Sequence, residues 1–206
     1  EVADFPQLVP GTGVAYHSQL QNQNSKISSQ IDNVISIATA YQLMQDGFEG
    51  RLLLATEEEI GKSWKHILDY LSSSNIETKE IITLDTTPYE EERAIDSGLI
   101  ILRNKDQHGR FNHTLVQNIK NICDSENISY EFKDEVIEAE NSKLPKGTKA
   151  KKLGTTELGR IVESSQSRFN GATIQLPTTN YHSNQETTSV LALENYYKLL
   201  KKILLK

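Results

Sequence analysis

Cysteine, methionine and tryptophan each occur once in this 206-residue chain, and proline only five times. A single cysteine, Cys123, excludes an intrachain disulfide framework. It lies among apolar positions of an expected helix, the usual setting of a buried, inert thiol. No apolar run approaches the ~20 residues that span a bilayer, so no membrane partner is expected. The opening EVADFPQLVPG also lacks the basic start and apolar stretch of a signal peptide, and a cytoplasmic location is expected. Basic excess is missing too. The formal net charge is −6, which leaves no electrostatic footprint for nucleic acid and is compatible with cation binding. An initiator methionine is absent, so the expectation is a mature form or an excised domain.

What is present reads as one domain over residues 1–206 in which strands and helices alternate. GVAYHSQL alternates like a strand, and NSKISSQ reads as a polar loop. DNVISIATAYQLMQDG is a helix whose apolar stripe is Val34, Ile37, Ala38, Tyr41 and Met44, stopped by Gly47. GRLLLAT suits a central strand, and IGKSWKHILDYLSSS an amphipathic helix with Ile60, Trp64, Ile67, Leu68 and Leu71 on one face. KEIITLD and SGLIILR are strands, FNHTLVQNIKNICDSEN a helix, and ISYEFK a strand. Residues 140–152 read as a polar, basic loop. TTELGRIVESSQ is a helix, GATIQLP a strand and TSVLALENYYKLLKKILL the last helix. This order predicts an α/β three-layer sandwich around a largely parallel mixed sheet.

In open α/β sheets, ligand sites collect beyond the carboxyl ends of strands. Glu57, Glu58 and Glu59 follow the strand expected to end at Thr56, Asp85 follows EIITL, and His182 follows GATIQL. Asp32 sits just before the first long helix. Carboxylates plus one imidazole at one sheet edge suit a borderline divalent ion such as zinc. Ordinary roles compete. Asp32 is a good helix N-cap, a glutamate run complements a helix dipole, Asp85 before Thr-Thr-Pro suits a turn, and His182 suits a loop. His17, His66, His108 and His113 have no metal-ligand spacing and read as surface or groove residues.

Three segments, in order, resemble the catalytic domain of the binuclear metallo-aminopeptidases that include glutamyl and tetrahedral aminopeptidases. IDNVISIA resembles the segment holding a bridging aspartate, and LLATEEEIG the strand ending in Glu-Glu-Val-Gly. GTTELGRI and GATIQLPTTNYHSNQE resemble the Gly-Thr-Asp-Ala segment and the Pro-Thr-Arg-Tyr-x-His-Ser-x-x-Glu signature. IITLDTT falls where the family has its other aspartate, and LVPGTGVAYHSQL fits a strand returning from an inserted domain. The resemblance implies a zinc-exopeptidase-like fold, two divalent ions (zinc or cobalt) and a peptide substrate. It implies Asp32 bridging the metals, Glu59 and His182 completing one shell, Asp85 binding the other ion, and Glu58 as general base. Glu57 is left as an ordinary solvated residue, and Gly61 lets the backbone turn after the ligand pair.

Departures accompany the likeness. The family's His-x-Asp element has no counterpart among the 206 residues, so four of five expected ligands are present. Most of the inserted domain used for oligomer contacts is missing, which leaves self-association open. Asp32 is followed by Asn33 and Val34 instead of Asp-Arg. Glu157 stands for aspartate, and Thr179 and Asn180 replace Arg-Tyr before His182. Three readings follow: the carboxy-terminal portion of a longer enzyme, a divergent non-catalytic module, or an altered site.

Overall fold

The computed structural model describes residues 18–74, 80–89 and 91–205. Most of the expected strand GVAYHSQL, together with His17, lies outside them. Along the chain run β1 (Gln21–Gln23), β2 (Lys26–Ser29), α1 (Val34–Gln45), α2 (Ser63–Ser73) and β3 (Glu80–Pro88). They are followed by α3 (Glu92–Asp96), β4 (Ile100–Leu102), α4 (His113–Glu126), β5 (Tyr130–Phe132) and α5 (Lys133–Ser142). The chain closes with α6 (Glu157–Ser164), β6 (Asn170–Thr178), β7 (Glu186–Ser189) and α7 (Val190–Leu204).

The main sheet has the order β3-β6-β4-β5, with β3–β6 and β4–β5 parallel and β4–β6 antiparallel. β6 is buried along almost its whole length, as a strand covered on both faces must be. The larger core joins Ile174, Leu176 and Ile100 of the sheet to Leu43 of α1, Ile119 of α4 and Tyr196 and Leu199 of α7. A smaller cluster of Leu71, Ile161 and Phe169, with Trp64, Ile67 and Leu68 against it, joins α2 to α6. The expected three-layer α/β sandwich is therefore the observed one. A separate antiparallel sheet, β1-β2-β7, sits to one side, and its β2 occupies part of the stretch expected as a loop. Cys123 is free, fully buried and has its thiol pushed up to about 12 by burial.

Two expectations fail. GRLLLAT forms no strand: residues 51–55 are irregular and Leu53 and Leu54 are exposed. A strand exists only through its ladder partner, and among the described residues this segment has none. The second failure concerns the face of α1. Val34, Ile37, Tyr41 and Met44 are exposed, while Ile35, Ser36, Thr39, Ala40 and Leu43 are buried. Both stripes have helical spacing. The less apolar one packs because its polar members are satisfied: Ser36 hydrogen-bonds Tyr196 at 3.1 Å, and Thr39 donates to the Ile35 carbonyl at 2.8 Å. Leu43→Ala should accordingly cost about 2–5 kcal/mol in chemical denaturation, whereas Met44→Ala should stay within about 0.5 kcal/mol. The reverse ranking would mean the helix is rotated.

Candidate metal centre

Asp32 ends the loop that follows β2 and precedes α1. The N-cap position belongs to Asn33, and no side-chain cap bond is made there, so capping does not account for Asp32. Two bonds fix this entry. The Asp32 amide donates to Glu186 Oε2 at 3.0 Å, and the Asn33 side-chain amide donates to the Leu84 carbonyl at 2.7 Å. Glu186 is fully buried and also accepts from Thr178 at 2.7 Å. A buried carboxylate thus pins the backbone of Asp32 against β6 and β7.

Glu58 and Glu59 lie in a turn closed by the Gly61 amide donating to the Glu58 carbonyl at 2.7 Å. Gly61 has φ +67°, the left-handed conformation that its missing Cβ permits. The glutamates stand outside the first turn of α2, which holds no acidic residue, so the helix dipole does not explain them. Glu57 turns away to solvent, meeting His66 at 3.2 Å and Lys62 at 3.9 Å. Asp85 is a strand residue of β3, not a turn residue. It accepts from the Thr86 amide at 2.8 Å and from Gln175 at 3.2 Å.

His182 follows β6 in a tight loop where Asn180 and His182 have positive φ, and its ring stacks on Tyr181 at 3.9 Å. From there its Nε2 lies 3.3 Å from Asp32 Oδ2 and 3.5 Å from Glu59 Oε2. One donor atom from each of these three residues falls within 4.8 Å of the others. Asp85 is not part of that tight trio, but its charge is felt beside Asp32 and Glu58. His66 is exposed as expected. His108 is partly buried, its side chain 9% exposed and held by Glu163 at 2.9 Å and Thr155 at 3.2 Å.

The electrostatics describe a surplus of negative charge. Burial, then Asp32 and Glu58, push the Asp85 carboxyl from 3.8 up to about 7. Burial, then Glu59, Glu157 and Asp32, raise Glu58, with His182 opposing. Burial also raises Glu157, whose Oε1 is buried without a hydrogen-bond partner. Two carboxylate oxygens and an imidazole nitrogen, ringed by raised carboxyls, match the oxygen and nitrogen chemistry of zinc or a similar divalent ion. The residues present fit the implied group.

A pH dependence follows. Asp85 has a folded-state pKa above its unfolded value, so the native chain binds more protons between pH 4 and 7. Its contribution is full below the unfolded pKa and is lost as pH rises through about 7. The melting temperature of the metal-free chain should fall between pH 5 and 8, with Glu58 and Glu157 shifted in the same direction. Excess zinc should remove most of that fall. A metal-free chain equally stable at both ends would contradict the charge surplus.

Residues with no assigned role in the sequence reading complete the surroundings. Glu186 holds Asp32, and Gln175 links Asp85 to Arg103, which donates to Gln175 at 2.8 Å. A cavity of about 490 Å³ opens beside the acidic cluster, lined by Glu58, Asp85 and Glu157 together with Arg103, Lys133 and Arg160. Only Glu186 had a signal in the sequence, as the closing residue of HSNQE. Gln175 and Arg103 are brought to Asp85 by strand register, which no local pattern encodes.

A model of the family described as M42 glutamyl aminopeptidase matches residues 4–199. No curated protein matches the chain by sequence. Among solved structures, an aminopeptidase from the archaeon Desulfurococcus kamchatkensis is similar with TM-score 0.67 at 14% identity over 92% of this chain and 52% of that one. The TET1 peptidase of Pyrococcus horikoshii gives 0.63 at 16% over 92% and 53%. A TET aminopeptidase from a marine sediment thaumarchaeote gives 0.66 at 14% over 90% and 50%. The chain spans about half the length of these structures.

Proposed function

Since the chain belongs to the M42 glutamyl aminopeptidase family, we propose that it is the catalytic part of a metal-dependent aminopeptidase acting on peptides with a free amino terminus. Asp32 would bridge two divalent ions, zinc or cobalt, with Glu59 and His182 completing the shell of one and Asp85 binding the other. The convergence of Asp32, Glu59 and His182 from three distant segments supports this reading most strongly. Bound ions of this kind lower the pKa of a shared water and stabilise charge on the substrate carbonyl oxygen.

The chain's own residues do the rest. Glu58, its carboxyl pKa raised by desolvation and then by its acidic neighbours, accepts a proton from the attacking water and hands it to the leaving amine nitrogen. Glu186 and Gln175 hold Asp32 and Asp85 by hydrogen bonds at 3.0 and 3.2 Å. Glu157 lines the same cavity, where its carboxyl adds to the acidic surroundings of a substrate ammonium. Among the described residues no helix is long and apolar enough to cross a membrane, and a cytoplasmic location belongs to the proposal. So does self-association, since the TET1 peptidase of Pyrococcus horikoshii can assemble into a tetrahedron or a larger octahedral shell.

Hydrolysis of an aminoacyl p-nitroanilide should appear on adding zinc or cobalt, vanish with a chelator and return with metal. Turnover indifferent to chelation would overturn the proposal. One observation favours a second reading, a non-catalytic module that keeps the fold: Asn33 and Val34 follow Asp32 where the family has Asp-Arg, and Thr179 and Asn180 stand where it has Arg-Tyr before His182. That reading expects no metal-dependent turnover, and only modest stability changes in Glu58→Gln and Asp85→Asn.

A further inference from the structure

Helix α1 carries no charged residue in its twelve positions, although 24% of the whole chain is charged. The solvent face of a helix is normally its polar face. Here Val34, Ile37, Tyr41 and Met44 are between 44% and 62% exposed, while Ile35 and Leu43 fix the opposite face to the core. The exposed four follow one another at intervals of three, four and three, the spacing of the a and d positions of a two-helix seam.

The apolar surface does not end with the helix. From Gln45 the chain returns to the start of α1, where Glu59 and Asp32 meet across His182. On the way it exposes Leu53 and Leu54, and Ile60 follows. The helical stripe leaves roughly 400 Å² open and these three residues about 300 Å² more, close to the ~800 Å² that each partner buries in a standard interface. Monomers seldom leave so much apolar area in water. The composition is that of an interface centre, in which charge is depleted and tyrosine and methionine are enriched.

We propose that two copies of the chain associate through this face, their α1 helices packed antiparallel about a two-fold axis. The stripe is self-complementary, as such an axis requires. Ile37 of one copy then meets Tyr41 of the other, and Val34 meets Met44. Charge sets the antiparallel sense. Asp32 and Glu59 stand at the start of α1, and parallel helices would bring two acidic clusters together. Antiparallel packing keeps them at opposite ends of a helix ~18 Å long and lays the helix dipoles head to tail. Ile37 and Tyr41 form the centre and carry most of the association, whereas Val34 and Met44 form the rim, where truncation costs little. The interface needs neither metal nor substrate, so it stands or falls apart from the aminopeptidase reading.

Sedimentation equilibrium of the full chain in a chelating buffer tests the pairing. A dimer is expected, and Ile37→Glu and Tyr41→Glu should each weaken it about thirtyfold or more, with melting curves of the dilute, dissociated chain nearly unchanged. Leu144→Glu, at an exposed leucine beyond α5, should leave the dimer intact. Oxidation of Val34→Cys/Met44→Cys should link the copies, because the two thiols lie roughly 15 Å apart along one helix and cannot join within a chain. The native Cys123 is buried and stays out of that reaction. A chain monomeric up to the highest concentration reached, or a dimer indifferent to both glutamates, overturns the interface. So does a monomer that binds a hydrophobic dye through this face and loses it in Tyr41→Glu, since the face would then be open to a different partner. Copies linked by Val34→Cys alone would contradict the antiparallel sense.

Discussion

Glu58→Gln should lower kcat for an aminoacyl amide by about 10²–10⁴-fold, the range contributed by a positioned general base, while leaving zinc uptake nearly unchanged. Glutamine keeps the volume and a hydrogen-bonding oxygen but cannot accept the water's proton. Glu58 also lies outside the tight donor trio, which is made by Asp32, Glu59 and His182. Glu59→Gln should behave differently. It replaces a carboxylate 3.5 Å from His182 by a neutral amide, so zinc affinity falls along with turnover. The pair is informative because the residues are adjacent in sequence and exposed to the same surface changes. If Glu58→Gln retained full turnover, the base would lie elsewhere. If both variants lost metal equally, the division of labour between the two glutamates would be wrong.

Gly171→Ala should destabilise the fold by about 3 kcal/mol or more, the upper range for overpacking a well-filled site. Gly171 pairs with Ile81 across the β3–β6 ladder. A Cβ built there would stand 1.6 Å from the Ile81 carbonyl oxygen and 2.8 Å from its nitrogen. Backbone is on the other side of that contact, so no side chain can swing away to relieve it. The same ladder sets Asp85 opposite Gln175, and this register delivers Asp85 to the acidic cluster. Zinc affinity should therefore fall in Gly171→Ala even under conditions where the variant remains folded. A variant with wild-type stability and affinity would show that the ladder yields without disturbing the site.

The legible part of this protein was its layered architecture and the identity of its acidic and imidazole side chains. Strong periodicity carried α2, α4, α6 and α7, and the apolar runs carried β3, β4 and β6. Elements with weak patterns escaped. β1 and β7 are short and polar; β1 forms a local hairpin with β2 built from polar residues, and the pairing of β7 with β2 is non-local. α5 begins directly after β5 with a polar surface, so its sequence resembles the loop that follows it. The GRLLLAT error shows that apolar, β-branched-poor leucine runs need a partner edge before they become strands. The α1 error has another cause. Two stripes of helical spacing coexist there, and hydrogen bonds from Ser36 and Thr39 decide between them.

The site divides in the same way. Residue type and chain order were enough to nominate Asp32, Glu58, Glu59, Asp85 and His182. They could not show that the Asp32 backbone is held by Glu186, or that Arg103 and Lys133 face the same cavity. Those relationships depend on which strand lies beside which. Capping and dipole roles, equally good explanations on sequence alone, are the ones the geometry sets aside, because Asp32 is not the cap and the glutamates precede α2.

The most direct test is a crystal grown with zinc and measured at the zinc absorption edge. An anomalous peak should lie between Asp32 Oδ2, Glu59 Oε2 and His182 Nε2, and should disappear in Asp32→Ala. Zinc bound only at exposed pairs such as Glu57 and His66, with those three side chains bare, would contradict the metal centre.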